Sequence, residues 1–249
     1  LTHVALPSDF LSFEGLCWRM VESQYVISTI PLVDGLEEQA RLEQLIDGTK
    51  PPIPEECRHL SPLLYTPFRY VPTQGSRFRR AGQREGAYYT AATVATAVAE
   101  MAFYRMLFFA ESPETPLPDG FAEYTAFAVD VRTDRLVDIA QSNRHELFHK
   151  ADYSTTQDFA DSARAVGADG IRSKSVRCPS GGATYTWLTC RVFASPAPLH
   201  QQSWHMRLLR HGVQAVCENP RSGIEFTAAE FSSDPRLARF QDMAASHHR

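Results

Sequence analysis

Lysine is almost missing from this chain: Lys50, Lys150 and Lys174 stand against 22 arginines. With no lysine-rich tract, a formal net charge of −4 and a pI near 6.1, nothing marks a nucleic-acid surface. Cysteine is sparse as well. Cys17, Cys57, Cys178, Cys190 and Cys217 are scattered, odd in number and free of any CxxC pair. That pattern argues against a disulfide framework or a zinc knuckle, and for a reducing compartment. No apolar run reaches the roughly 18 residues that a membrane span needs. No signal-peptide pattern is visible from Leu1 onward. These absences lead to the expectation of a cytoplasmic protein with no membrane and no direct nucleic-acid partner.

What is present is ordinary globular material: 249 residues, 43% hydrophobic and 22% charged, enough to bury a substantial core. Residues 1–60 read as a separate layer. VDGLEEQARLEQLIDG predicts a helix with Asp34 as N-cap, Glu37 completing a capping box, Gly48 past its end, and Leu36, Leu42, Leu45 and Ile46 on its apolar side. KPPIPEEC then interrupts regular structure. PLLYTPFRYVP reads as an edge strand or two strand pieces, and GSRFRRAGQREG as a polar, glycine-bounded loop. A long helix capped by Thr90 or Thr93 runs to about Ala110. AEYTAFAVDVRTDRLVDIA alternates as a hairpin or two strands would. STTQDFADSARAVG predicts a helix capped by Ser154 or Thr155 and stopped at Gly167. ATYTWLTCRVF reads as β, with Tyr185 and Trp187 on one side and Thr184 and Thr186 on the other. WHMRLLRHGVQAVCE reads as a hairpin turning at His211–Gly212, and the polar tail after Asn219 as frayed. The sum is a mixed α+β fold with several short strands and two or three helices.

HELFH, His145–His149, matches the zinc-peptidase pattern H-E-x-x-H, in which two imidazoles one helical turn apart hold a metal. Its flanks are weakly helical, and no Glu follows His149 until Glu218. We expect a solvated short helix or loop there and no metal site.

Between Gly86 and Tyr104 the only charged residue is Glu100. On a helix it shares a largely apolar face with Thr93, Thr96, Ala97, Phe103, Tyr104 and Leu107, and the opposite face is apolar too. A buried carboxylate needs a partner, or it picks up a proton. Glu100 is therefore expected either to pair with an arginine of the preceding loop or to line a ligand cavity. That loop offers Arg77, Arg79, Arg80 and Arg84, whose guanidinium forks suit phosphate oxygens.

Arg77 in GSRF, Tyr89 in YYTA, Glu100 in TAVAE and Ser175 in SKSVR, taken in that order, resemble the RES domain, named for its Arg, Glu and Ser. The resemblance runs from about residue 14 to 193 and is most specific over 67–105. TPFRYVPTQGSRF, AEMAFYR and the long segment VESQYVISTIPLVDGLEEQARLEQLIDGTKPPIP are similar to the longer RES proteins, which carry an N-terminal extension. Around Ser175 the match is looser, so Ser173 and Ser180 compete for its role. The resemblance implies 1–60 as an N-terminal extension, 61–195 as the RES core and 196–249 as a C-terminal hairpin and tail. It also implies an ADP-ribosyltransferase-like fold with central mixed or antiparallel strands and flanking helices. The activity it implies is that of an NAD+-consuming toxin of a bacterial toxin–antitoxin pair, with an Xre-type antitoxin as partner. NAD+ would be cleaved with phosphate or water as acceptor; the alternative is mono-ADP-ribosylation of a protein. Glu100, Arg77, Tyr89 and Ser175 would be catalytic. Arg77 would bind the pyrophosphate with Arg69 or Arg79 in support, Tyr89 the nicotinamide ring or its ribose, and Ser175 would position Glu100 or the ribose. The N-terminal layer would cover part of the core or help dock the antitoxin.

Overall fold

The computed structural model describes residues 10–23 and 29–247, with the side chains of 244–247 set aside. The start at Leu1, part of the VESQYVIS segment and the terminal His248–Arg249 lie outside the described residues.

The described residues form eight strands and five α-helices. The strands are β1 (Leu11–Glu22), β2 (Tyr88–Ala91), β3 (Phe121–Asp138), β4 (Gly170–Lys174), β5 (Ala183–Trp187), β6 (His200–Leu209), β7 (Gly212–Cys217) and β8 (Ser222–Thr227). They make one mixed sheet in the order β1-β2-β5-β4-β3-β6-β7-β8, with a further pairing of β1 to β3. β1 runs antiparallel to β3 from Leu11–Leu136 to Glu22–Tyr124 and touches β2 at Trp18–Ala91. β3 and β4 are parallel, and every other pair is antiparallel. Five strands thereby close a ring, β1-β2-β5-β4-β3, and β6 to β8 continue the sheet outward from β3. The expected α+β architecture, a central mixed sheet with flanking helices, is what the chain adopts. The sheet draws on all three spans read from the sequence: β1 lies within 1–60 and β6 to β8 within 196–249.

The segment expected to be a hairpin or two strands is one 18-residue strand, β3. Its residues from Tyr124 to Val129 are all buried because both faces are covered. Tyr124 and Ala126 enter one core with the helix α3 (Val94–Glu111), while Phe127, Val129 and Val131 enter a second core with Leu64, Phe68, Tyr88 and Trp187. Continuous burial hides the alternation on which a strand reading depends.

PLLYTPFR is a helix, α2 (Pro62–Arg69), not an edge strand. Pro62 sits at its first position, where a missing N–H costs nothing, and Leu64 and Phe68 bury one face at i, i+4. Gly86 lets α2 lie close against the start of β2: a Cβ there would stand 2.2 Å from Cδ1 of Phe68.

The N-terminal helix, α1 (Leu36–Thr49), is capped at Gly35 rather than Asp34, includes Gly48, and buries no residue. Leu36 is 82% exposed and Leu45 63%, so its apolar side is not a core face.

α4 (Ser154–Ala165) ends as expected, with Gly167 at φ +74° closing it, but its N-cap is Tyr153, and Ser154 and Thr155 lie inside the first turn instead of capping it. The hairpin of β6 and β7 turns at Arg210–His211. The tail is not frayed as far as it is described. After β8, two 3-10 turns and α5 (Ala238–His247) bury Phe231, Leu237 and Phe240 in the α3 core. Cys57 and Cys190 are joined in a disulfide, against the expectation of unpaired thiols, whereas Cys17, Cys178 and Cys217 are free and buried. No helix among the described residues is long and apolar enough to cross a membrane.

Candidate active site

The period of two along β2 and β5 sorts aromatic residues from site residues. Tyr88, Tyr185 and Trp187 go into the second core, with Tyr185 and Trp187 stacked at 5.3 Å between ring centroids. Tyr89, Thr184 and Thr186 face the other way and line a cavity of about 350 Å³, whereas Thr90, on the Tyr88 side, accepts from Trp187 Nε1 at 2.9 Å. Trp18, Arg19 and Met20 of β1 complete one wall, and Glu100, Met101 and Tyr104 of α3 another.

α3 starts at Thr93, whose Oγ1 accepts from the Thr96 amide at 3.2 Å. Its first turn lies directly on the β4–β5 connection: a Cβ on Gly182 would stand 2.1 Å from Oγ1 of Thr96. The Ser175 amide bonds the Gly182 carbonyl at 2.8 Å, so this close approach brings Ser175 to α3. The Ser175 hydroxyl donates to Oε1 of Glu100 at 2.5 Å. Ser175 Oγ itself accepts from the amides of Arg177 and Cys178 at 3.1 and 2.8 Å, which fixes the direction of its proton.

Glu100 has no arginine in direct contact: among the described residues no ion pair within 4.0 Å involves it. Burial pushes its carboxyl above the ordinary carboxylate range. The Ser175 hydrogen bond and the charges of Arg177 and Arg77 oppose that rise without cancelling it. The result is a desolvated carboxylate aimed into a cavity, with cations at a distance.

Arg77 lines the cavity through a guanidinium already held by protein acceptors. Nη1 donates to Ser173 Oγ at 3.2 Å and to the Lys174 carbonyl at 3.0 Å, and Nη2 to the Leu147 carbonyl at 3.0 Å. Its Nε is buried with no hydrogen-bond partner among the described residues. Burial lowers its pKa to about 10, against the pull of Glu100. Tyr89 meets the Arg77 loop through its hydroxyl, which bonds Ser76 Oγ at 2.8 Å and accepts from the Phe78 amide at 3.1 Å. Its ring faces the cavity while its polar tip is tied to the loop.

Arg77, Tyr89, Glu100 and Ser175 are thus brought together, and two other predicted residues are not. Arg69 turns away from the cavity toward the end of α1, donating to the Pro51 carbonyl at 2.6 Å and pairing with Asp47 at 3.6 Å. Arg79 is buried as a loop clamp, bonded to the carbonyls of Pro67, Tyr70 and Gln83. Neither lines the cavity. Of the competing serines, Ser173 pairs with Thr184 at 3.0 Å and Ser180 with Cys178 Sγ at 3.1 Å. HELFH forms a four-residue 3-10 turn with Leu147 buried, and His149 lies beyond it, its Nδ1 accepting from the amides of Ala151 and Asp152. The two imidazoles do not share a helical face. Among the described residues, the one group of three potential metal ligands is Glu56, Cys57 and Cys190, and its two thiols form the disulfide.

Sequence reading missed Arg177. Its side chain is 2% exposed, lies over the Phe103 ring at 4.2 Å, and pairs with Asp234 at 2.7 Å. Arg177 and Val176 line both the first cavity and an adjoining polar pocket of about 590 Å³ on their far side. SKSVR carried the signal, an arginine two residues past the site serine. Tyr153 and Tyr104 were missed too; Tyr153 accepts from Arg177 Nη2 at 2.7 Å.

Comparison with curated proteins found no match. A solved structure, the M. tuberculosis MbcT–MbcA toxin–antitoxin complex, has a chain 14% identical, with 95% of this chain and 92% of that one covered, at a TM-score of 0.41. A likeness that weak carries no argument here. The family model of the RES domain matches residues 53–209, which span Arg77, Tyr89, Glu100 and Ser175 together with most of the cavity wall. On that match the chain belongs to the RES domain family.

Proposed function

We propose that this protein is the NAD+-consuming toxin of a toxin–antitoxin pair, cleaving the nicotinamide–ribose bond with water or inorganic phosphate as acceptor. The observation that carries this reading is the Ser175–Glu100 pair: a partly buried carboxylate, oriented by a hydroxyl, in a cavity walled by arginine and tyrosine. Cleavage breaks the bond between the anomeric carbon and the pyridinium nitrogen. The electron pair leaves with neutral nicotinamide, and the ribose becomes oxocarbenium-like. A fixed carboxylate stabilises that positive charge, or polarises the 2′-hydroxyl beside it, more in the transition state than in the ground state. The acceptor oxygen then bonds to the anomeric carbon: water releases one proton to solvent as it does so, and inorganic phosphate attacks through an anionic oxygen that has none to lose.

Arg77 supports the dinucleotide reading because its guanidinium lines the cavity that Glu100 also lines, a fixed positive charge suited to a pyrophosphate. Tyr89 offers a ring to the nicotinamide or ribose. Two residues before Glu100, where an acidic residue would help activate a protein acceptor, stands the fully buried Val98. That favours a small acceptor over transfer of ADP-ribose to a protein. Family membership supports an Xre-type antitoxin as the partner that silences the site.

The test follows NAD+ and nicotinamide over time with purified wild type and Glu100→Gln, with and without phosphate. Nicotinamide release by the wild type alone supports the reading, and phosphate dependence names the acceptor. If NAD+ persists while labelled ADP-ribose accumulates on lysate proteins, the transfer reading replaces it.

A further inference from the structure

We infer that Asp234, in the C-terminal segment beyond the RES match, is a positioning residue that holds Arg177 in place beside Glu100. The inference rests on Glu100 being the working carboxylate. Asp234 lies 25 residues past the last matched residue, Phe-rich neighbours such as Phe231 and Phe240 anchoring its segment against α3. Its side chain is 3% exposed and its Oδ2 accepts from Arg177 Nη1 at 2.7 Å. Asp234 is itself fixed. It caps a 3-10 turn through the Arg236 amide, and the Arg236 guanidinium bonds both its oxygens, at 3.0 and 2.8 Å. The Lys150 carbonyl accepts from both Arg177 and Arg236, so the two guanidiniums are bound as one unit with the carboxylate between them.

Without Asp234, Arg177 would lose its charged partner in a fully buried setting and would share that space with Arg236, a like charge. Such a side chain moves toward solvent, and the adjoining polar pocket offers the way out. Glu100 would then lose the cation with the stronger pull on it, Arg177, and keep Arg77. The groups facing Glu100 are Ser175 and Arg177 after β4, Arg77 before β2, Tyr104 one turn on in α3, and Tyr153 just before α4 through its bond with Tyr104. Arg177 in turn faces Asp234, Arg236, Tyr153 and, more distantly, Arg77. Lys150, Lys174, His145 and Glu230 line the pocket beyond. Removing the negative charge of Asp234 while leaving Arg177 where it is would have the opposite consequence, a more cationic surround for Glu100. The sign of the change therefore separates positioning from simple charge.

The experiment is a carbon-13 NMR titration of the Glu100 carboxyl in glutamate-labelled protein, assigned with Glu100→Gln. It is run on wild type, Asp234→Asn, Arg177→Met and the double variant, each checked for folding by thermal melt. The expected result is a Glu100 titration point about one unit higher in Asp234→Asn, matched by Arg177→Met and not increased further in the double variant. An unchanged or lowered point in a folded Asp234→Asn, or additive shifts, overturns the inference. Should Asp234→Asn not fold, Asp234→Glu keeps the charge with a longer arm. A smaller upward shift is then expected, and an unmoved point rejects the positioning role. The acidic limb of nicotinamide release should move with the titration point, about tenfold in rate per unit on that limb. If the wild type releases no nicotinamide, the NAD+ reading fails on its own, and the titration still decides whether Asp234 positions Arg177.

Discussion

Ser175 turns its only proton toward Glu100 because two backbone amides, those of Arg177 and Cys178, occupy the acceptor side of its oxygen. A serine that both accepts from its own turn and donates across 75 residues of sequence ties the loop after β4 to the middle of α3. Ser175→Ala removes the donor and strands two buried amides. Since the Ser175 hydrogen bond holds the Glu100 carboxyl down, its loss lets that carboxyl rise further. The expected outcome is a drop of roughly 10- to 100-fold in nicotinamide release at neutral pH, in line with loss of one hydrogen bond to a charged group. The acidic limb of the pH–rate profile should move to higher pH. An unshifted limb would mean that the hydroxyl does not act through Glu100.

Arg77 is more than a ligand group, because all three of its hydrogen-bonded contacts are to the protein. It fastens the loop before β2 to β4 and to the 3-10 turn at His145–Phe148. Arg77→Ala should therefore lower stability by about 1–3 kcal/mol through the acceptors left behind, besides abolishing activity. Arg77→Lys keeps the charge but cannot fork to three acceptors, and an intermediate melting temperature with a raised KM is expected. Equal melting temperatures for all three proteins would show that the clamp carries no load.

The disulfide gives a count that needs no enzyme assay. Cys57 and Cys190, 133 residues apart, tie the turn before α2 to the 3-10 turn after β5. Unreduced protein unfolded in denaturant should react with a thiol reagent at three cysteines, Cys17, Cys178 and Cys217, and at five after reduction. Reduction, or Cys57→Ala with Cys190→Ala, should lower stability by about 2–5 kcal/mol, as release of so long a loop does. Five reactive thiols before reduction would place both residues in the core as free cysteines, in agreement with the unpaired pattern that the sequence displays.

Much of the candidate site was legible because its signals are local. Thr93 caps α3, the lone charge of Glu100 stands out against an apolar run, and the alternation in β2 and β5 separates Tyr89 and Thr184 from Tyr88 and Tyr185. The long-range partners were not legible in local pattern. The contact of Ser175 with Glu100 was implied by the family resemblance alone, as one of two roles for that serine, and Arg177 found Asp234 in a tail that reads as polar. That tail buries one residue in three, Ala228, Phe231, Asp234, Leu237 and Phe240, and a charged member at the centre of the series together with the 3-10 turns hides the core that it makes. β3 failed for the opposite reason, continuous burial, and α2 because Pro62 and Pro67 argue against any regular element until a first-turn proline is considered. Arg69 and Arg79 were plausible by composition alone; only the tertiary fold decides which guanidinium faces a cavity.

Glu100 should cost the protein stability at neutral pH, and the sign follows from the direction of its shift. Its carboxyl is raised in the folded state, so the folded protein binds that proton more tightly than the unfolded chain does. The group's contribution is most favourable below the ordinary carboxylate value, and it is lost as pH rises through the elevated folded value. Above that point a desolvated charge is being held in place for function. Glu100→Gln keeps the shape and removes the charge. It should abolish nicotinamide release, by about 10²–10³-fold or more, while raising the melting temperature at neutral pH. The gain should shrink as pH falls toward the ordinary carboxylate range, where wild-type Glu100 carries its proton anyway. Melting curves of both proteins across pH 4 to 8 read this directly, and on this argument the two curves converge at the acidic end. A variant less stable than wild type throughout would show that the Ser175 hydrogen bond outweighs the burial of charge, and Glu100 would then be a structural tie, not a carboxylate held at a cost for chemistry.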